Sequence, residues 1–184
     1  MKLYKIYSRA IGLLFALSLL CVGCENEDIL DINDLEISPS NPESVVIVEP
    51  DDGITSVNAL TKAINENGDA TYILRRDGVY YMEGKNVFKH NVVIKAENGS
   101  GKMPIIQPIC DAQGALNADM IRLEGSATFE NIYIIGKDAA TGNLMQRLFR
   151  IDESNVRLKF DNCFIDHCRN FCIRTEVPAM VNKT

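Results

Sequence analysis

Beyond residue 67 the apolar positions of this chain recur with a period of two, in short runs separated by Gly, Asn, Asp and Pro, and no segment keeps a helical period. The runs predict strands at Thr71–Leu74, Val79–Tyr81, Asn91–Ala96, Pro104–Ile109, Met120–Leu123, Thr128–Ile135, Leu148–Ile151, Val156–Phe160, Phe164–Ile165 and Phe171–Arg174. Asp77-Gly78 marks a turn, Asn98–Gly101 a loop and Asp111–Ala118 a polar excursion. Ahead of the strands, Thr55 or Ser56 predicts the cap of a short helix running to about Asn67, with Val57, Leu60 and Ile64 on one face and Asn67-Gly68 as its left-handed stop. Val45–Val48 reads as a further short strand that docks on the domain.

Two of the strand-like segments repeat. Phe129-Glu130-Asn131-Ile132-Tyr133-Ile134-Ile135 returns 31 residues later as Phe160-Asp161-Asn162-Cys163-Phe164-Ile165-Asp166, and Ile121-Arg122-Leu123-Glu124 returns at an offset of 28 as Phe149-Arg150-Ile151-Asp152. A repeat of this length, built from short strands, is the mark of stacked structural coils. The expected class is all-β, a parallel β-helix, with a jelly roll as the alternative. The short helix would lie over the first coil and hide its apolar end and strand edges. Stacking of the repeats would align Asn131 with Asn162 as an asparagine ladder, each amide bonding the backbone of the next turn. It would also place the pairs Phe129/Phe160 and Tyr133/Phe164 in the interior.

The first residues carry an address. Lys2, Lys5 and Arg9 precede an apolar run from Ala10 to Val22, too short to span a bilayer and suited to a signal peptide over residues 1–23. The run ends in Cys21-Val22-Gly23-Cys24, which resembles the bacterial lipobox, with Cys21 where that motif usually has Leu. The resemblance implies lipidation of Cys24 and an outer-membrane, surface-exposed lipoprotein anchored by its acyl chains; an ordinary cleaved signal is the alternative. The acidic cluster Glu25–Asp28 resembles a surface-export signal and reads equally as a solvated tether. Residues 24–52, rich in Asp, Glu, Asn, Ser and Pro, are expected to be a linker, with the β-helix domain over 53–184. Without the three basic residues of the signal, 16 Lys and Arg face 25 Asp and Glu, a formal charge of −9 that argues against nucleic acid.

The segment Gly68-Asp69-Ala70-Thr71-Tyr72-Ile73-Leu74-Arg75-Arg76-Asp77-Gly78-Val79-Tyr80 resembles the opening coil of pectate-lyase-like right-handed β-helices. Lys95-Ala96-Glu97-Asn98-Gly99 and Pro104-Ile105-Ile106 resemble the next coil of chondroitinase-B-like polysaccharide lyases. The resemblance covers roughly Gly53 to Glu176, rests on structural motifs, and carries no catalytic signature. It implies a right-handed helix, an acidic or neutral polysaccharide as ligand, and calcium as the cofactor such lyases use; the residues themselves make no cofactor or metal site evident. Lyases of this kind abstract the proton beside a uronate carboxylate with a Lys or Arg base.

On that implication Asp166 and His167, with Arg169 and Arg174 nearby and Arg150, Arg157 and Lys159 on an outer face, are the candidates for acid–base work. The plain alternative is solvated charge alternating with inward Val156, Leu158 and Phe160. Cys163, Cys168 and Cys172 with His167 leave zinc, a disulfide and buried thiols open, although the irregular spacing is unlike a closed zinc site. Tyr80, Tyr81 or Tyr133, if exposed, would stack on sugar rings. The segment Pro178–Thr184 offers no capping element, which leads to the expectation of an incomplete fragment of a longer protein or of a partner over the last coil. Three functions stay open: a polysaccharide-binding or -processing surface lipoprotein, a non-catalytic adhesin-like module, and an independent lyase.

Overall fold

Thirteen short strands and one helix make up the described part of the chain, residues 44–176 of a computed structural model. In chain order they are β1 (Val45–Val48), α1 (Ala59–Asn67), β2 (Ala70–Leu74), β3 (Val79–Glu83), β4 (Asn86–Phe88), β5 (Val92–Ala96), β6 (Ile105–Ile109), β7 (Asp119–Leu123), β8 (Ala127–Glu130), β9 (Tyr133–Ile135), β10 (Met145–Ile151), β11 (Leu158–Asp161), β12 (Phe164–Asp166) and β13 (Cys168–Thr175). They form three parallel sheets, ordered β1-β2-β5-β8-β11, β3-β6-β9-β12 and β4-β7-β10-β13. From β2 onward each strand pairs with the one three places along, so the chain visits the sheets in strict rotation. The fold is therefore mostly parallel β with one short helix.

The registers follow the sequence repeats. Phe129 lies opposite Phe160 and Tyr133 opposite Phe164, while Ile121, Arg122 and Leu123 lie opposite Phe149, Arg150 and Ile151. Like side chains stack on like because the pairing is parallel and in register. Tyr72, Ile94 and Phe129 succeed one another inside the first sheet, and Tyr80, Ile106 and Ile134 inside the second, all fully buried. Inside the third sheet Ile121 lies against Phe149, whose ring meets Phe129 edge-on at 5.4 Å.

Corners between sheets are made by left-handed residues, which Asn and Asp tolerate better than most. Asn131 (φ 58°) separates β8 from β9, Asn162 (φ 47°) separates β11 from β12, and His167 (φ 59°) separates β12 from β13. The run Thr128–Ile135 thus becomes two strands on two sheets. The corner also resets which residues face inward. Phe129 and Ile134 are buried, whereas Tyr133 is half-buried and Phe164 is 63 % exposed. The expectation that Tyr133 and Phe164 form an interior pair is corrected: they meet edge-on at 6.1 Å on the outside. Asn162 Nδ2 donates to Asn131 Oδ1 at 2.6 Å, so the contact runs amide to amide and not amide to backbone.

The helix begins later than the sequence suggests. Asp52 accepts N–H bonds from Ile54, Thr55 and Ser56 and a hydroxyl bond from Thr55, drawing those residues into a tight loop. Asp51, buried, then accepts from the backbone of Ala59 and of Tyr81, so it ties the first helical turn to β3. Neither Thr55 nor Ser56 caps the helix; Asn58, in a left-handed conformation, precedes it and bonds the backbone of Glu83 with its side chain. Leu60, Thr61 and Ile64 turn inward, and Thr61 Oγ1 donates to the buried amide of Asn86 at 2.7 Å. The run Val45–Val48 is β1, parallel to β2 at the edge of the first sheet. Beyond Phe149 no described hydrophobic side chain is fully buried: Phe160 and Ile165 are half-covered, and Phe171 and Ile173 are 57 % and 44 % exposed.

Candidate functional site

The outer face of the third sheet carries a row of arginines. Arg122, Arg150 and Arg174 lie side by side in register on β7, β10 and β13. Three carboxylates interleave with them. Asp119 pairs with Arg147, Arg122 and Arg150; Asp152 lies 2.5 Å from Arg150 Nε; and Glu176 pairs with Arg150 and with Arg174. Arg122 Nε, buried, sits 3.2 Å from Asp152 Oδ2 without the alignment of a hydrogen bond. Asp152, with Glu176 and Asp119 behind it, holds the Arg150 guanidinium above its ordinary protonation range. This row is largely neutralised from within, which makes it a structural network before it is a ligand site.

One end of the same sheet differs. An open cavity of about 640 Å³ is lined by Leu116, Asn117, Ala118, Gly142, Asn143, Leu144, Gln146 and Arg169. Its floor comes from the approach to β7, from β10 and from β13. Its wall is the loop between β9 and β10, pinned where Lys137 and Leu144 form an isolated antiparallel bridge. Asp138 builds that wall. Its buried carboxylate accepts from Thr141 N at 2.5 Å, Thr141 Oγ1 at 2.6 Å and Cys110 N at 2.8 Å. Burial pushes the Asp138 carboxyl up, but the bonds from Thr141 and Cys110 outweigh it and leave its pKa below the usual carboxylate range.

Arg169 reaches the cavity because β13 is irregular. Met145 lies opposite Cys168 and Arg147 opposite Phe171, so Arg169 and Asn170 together face Gln146 alone. Such a bulge re-aims side chains at a sheet edge. Among the described residues Arg169 has no acidic partner, and the amide of Gln146 bonds nothing. Asn117 donates to Asp119 O at 3.1 Å, and Leu144 is 41 % exposed. The cavity thus offers an unneutralised guanidinium, amide side chains and a small apolar patch.

Of the four residues read as acid–base candidates, only Arg169 lines the cavity. Asp166 and His167 meet, with His167 Nδ1 2.8 Å from Asp166 Oδ2 and Tyr133 OH 3.5 Å from the same oxygen. They sit at the β12–β13 corner, half-exposed, and do not line the cavity. Lys159 points outward from β11 on the first sheet, in register with Thr128, while Arg169 belongs to the third sheet. Of the tyrosines considered for sugar stacking, Tyr80 is fully buried, its hydroxyl donating to Val48 O at 2.8 Å. Asn117, Asn143 and Gln146 escaped the sequence reading, because a bulge and a distant loop bring them together and neither leaves a local pattern. Cys24 and residues 177–184 lie outside the described residues.

Among the described residues no three of His, Cys, Asp or Glu converge as a cation site requires, and the carboxylates of the arginine row are already engaged. Nor do the described cysteines form a zinc site: Cys163 Sγ bonds Phe129 O and Asp161 O, turned away from the pair Cys168 and Cys172. The sequence matches no protein-family model, and no curated protein matches it.

Proposed function

We propose that this protein is a lipid-anchored surface lipoprotein of the outer membrane whose parallel sheets form a right-handed β-helix that binds a polysaccharide. The rotation of strands through three parallel sheets, with registers at the repeat offsets, supports the solenoid reading. Right-handed crossover is the general rule for parallel connections. The lipobox-like Cys21-Val22-Gly23-Cys24 supports the anchor. No described helix is long and apolar enough to cross a membrane.

The observation that carries the binding reading is Arg169, without an acidic partner among the described residues, in an open cavity beside Asn117, Asn143 and Gln146. Amides and a guanidinium are the groups that bond sugar hydroxyls and carboxylates. Binding is favoured over catalysis because Lys159 and Asp166–His167 do not line the cavity that Arg169 enters. An adhesin-like role without chemistry is therefore the second reading, and it shares this surface.

Affinity electrophoresis through gels containing polygalacturonate or a neutral glucan tests the proposal. The wild-type chain should be retarded, and Arg169→Ala with Gln146→Ala should run as in plain gel. Equal retardation of the variant would remove the cavity from the argument. Ultraviolet absorbance of unsaturated uronate ends, followed with the same polymers, should stay flat. Metabolic labelling with palmitate should mark the wild-type chain and not Cys24→Ala.

A further inference from the structure

Cys168 and Cys172 flank the bulge that carries Arg169, and their sulfurs stand 2.8 Å apart. Cys172 is exposed and Cys168 half-buried, so both can be reached from solvent. Four residues of separation would hold two side chains far apart on a regular strand, which rises ~3.3 Å per residue. Here the strand is irregular between the two cysteines, and the sulfurs meet. A covalent bond of ~2.05 Å needs the sulfurs to close by less than an ångström or so. The remaining described cysteines are engaged elsewhere: Cys163 Sγ bonds Phe129 O and Asp161 O at 3.3 Å each, and Cys110 Sγ lies 3.8 Å from Thr141 Oγ1.

We infer that Cys168 and Cys172 are a redox-active pair that closes to an intrachain disulfide across the Arg169 bulge. A low-molecular-weight disulfide such as oxidised glutathione supplies the oxidant. The Cys168 thiolate attacks one glutathione sulfur, breaking that S–S bond and releasing one glutathione thiolate. The Cys172 sulfur, giving its proton to solvent, then attacks Cys168 Sγ, and the second glutathione thiolate leaves. The two cysteines lose two electrons and two protons in total, and the two glutathione sulfurs take the electrons. The hydrogen bond with Cys168, with burial and the Asp166 charge behind it, pushes the Cys172 thiol up to about 11 and keeps it protonated at neutral pH. Closing so short a loop adds little through chain entropy; what it changes is local. The bulge is locked, and with it the direction in which Arg169 points, whether or not the cavity takes a sugar.

The test is peptide mapping of the full chain after treatment with oxidised glutathione, blocking of remaining thiols with iodoacetamide and digestion with trypsin. Arg169 is the sole tryptic site between the two cysteines. A closed ring leaves the two flanking peptides joined after cleavage, two hydrogens lighter than the sum of the thiol forms and separable by reductant, with Cys110 and Cys163 alkylated. Alkylation of both Cys168 and Cys172, glutathione adducts on both, or a link from either to Cys163 or Cys110 would each overturn the inference.

Discussion

Asp138 shows how one side chain can shape a site it does not line. Its carboxylate gathers three donors from two loops, and the loop it closes is the wall of the cavity. Because its pKa is depressed in the folded state, the stability it contributes is present above the unfolded value and lost as pH falls through the folded one. Asp138→Asn should therefore cost on the order of 1–3 kcal/mol near neutral pH, as expected for bonds to a charged acceptor. Urea melts from about pH 7 to about pH 2 should show variant and wild type converging at the acid end. A gap that stays constant with pH would assign the cost to packing instead. The ladder asparagines make a second case. Asn162 supplies both a left-handed corner and the bond to Asn131. Asn162→Ala loses both and should cost about 1–2 kcal/mol. Asn162→Gly restores the backbone freedom, so a smaller loss in thermal denaturation is expected for it.

At the scale of strands and turns, the sequence speaks through the repeats. Phe129 over Phe160 and Ile121 beside Phe149 could be read from the offsets because parallel pairing in register preserves them. What could not be read is where a run turns a corner. Two polar residues in a row, Glu130-Asn131, interrupt the alternation, but the all-apolar run Ile132–Ile135 that follows does not show which of its members face inward. The three-residue strand Asn86–Phe88 is too brief for a period, and the true start of α1 depends on Asp51 and Asp52, which outcompete Thr55 and Ser56. The cavity depends on a bulge in β13 and a loop far away in sequence, and its Asn and Gln side chains resemble any other polar surface residues until the fold assembles them. If residues 131–161 form one complete turn through the three sheets, they should be insertable as a unit. A second copy placed after Asp161 repeats the junction Asp161-Asn162 as Asp161-Asn131. The longer chain is expected to keep a cooperative melt, since neighbouring coils contribute pairwise. Loss of cooperativity would argue against interchangeable coils.

Over the whole described domain, burial is uneven from one end of the sheets to the other. At one end α1 lies against the first strands and encloses Leu60, Ile64 and Asn86. At the other, β11, β12 and β13 are outermost in their sheets, with Phe164, Phe171 and Ile173 exposed. Phe129→Ala, between Ile94 and Phe160 and fully buried, should cost about 3–5 kcal/mol, whereas Ile173→Ala should cost a small fraction of that. Chemical denaturation of the two variants checks the contrast. The covered end also sets a direction in time. Near α1, β2 is paired on both sides and has few low-energy ways to open, while β13 can peel away at the cost of one sheet contact. Amide protons should therefore exchange with deuterium in sequence, from Cys168–Thr175 first to Ala70–Leu74 last, and refolding should run the opposite way, each strand templating the next in its sheet from the helix-covered end.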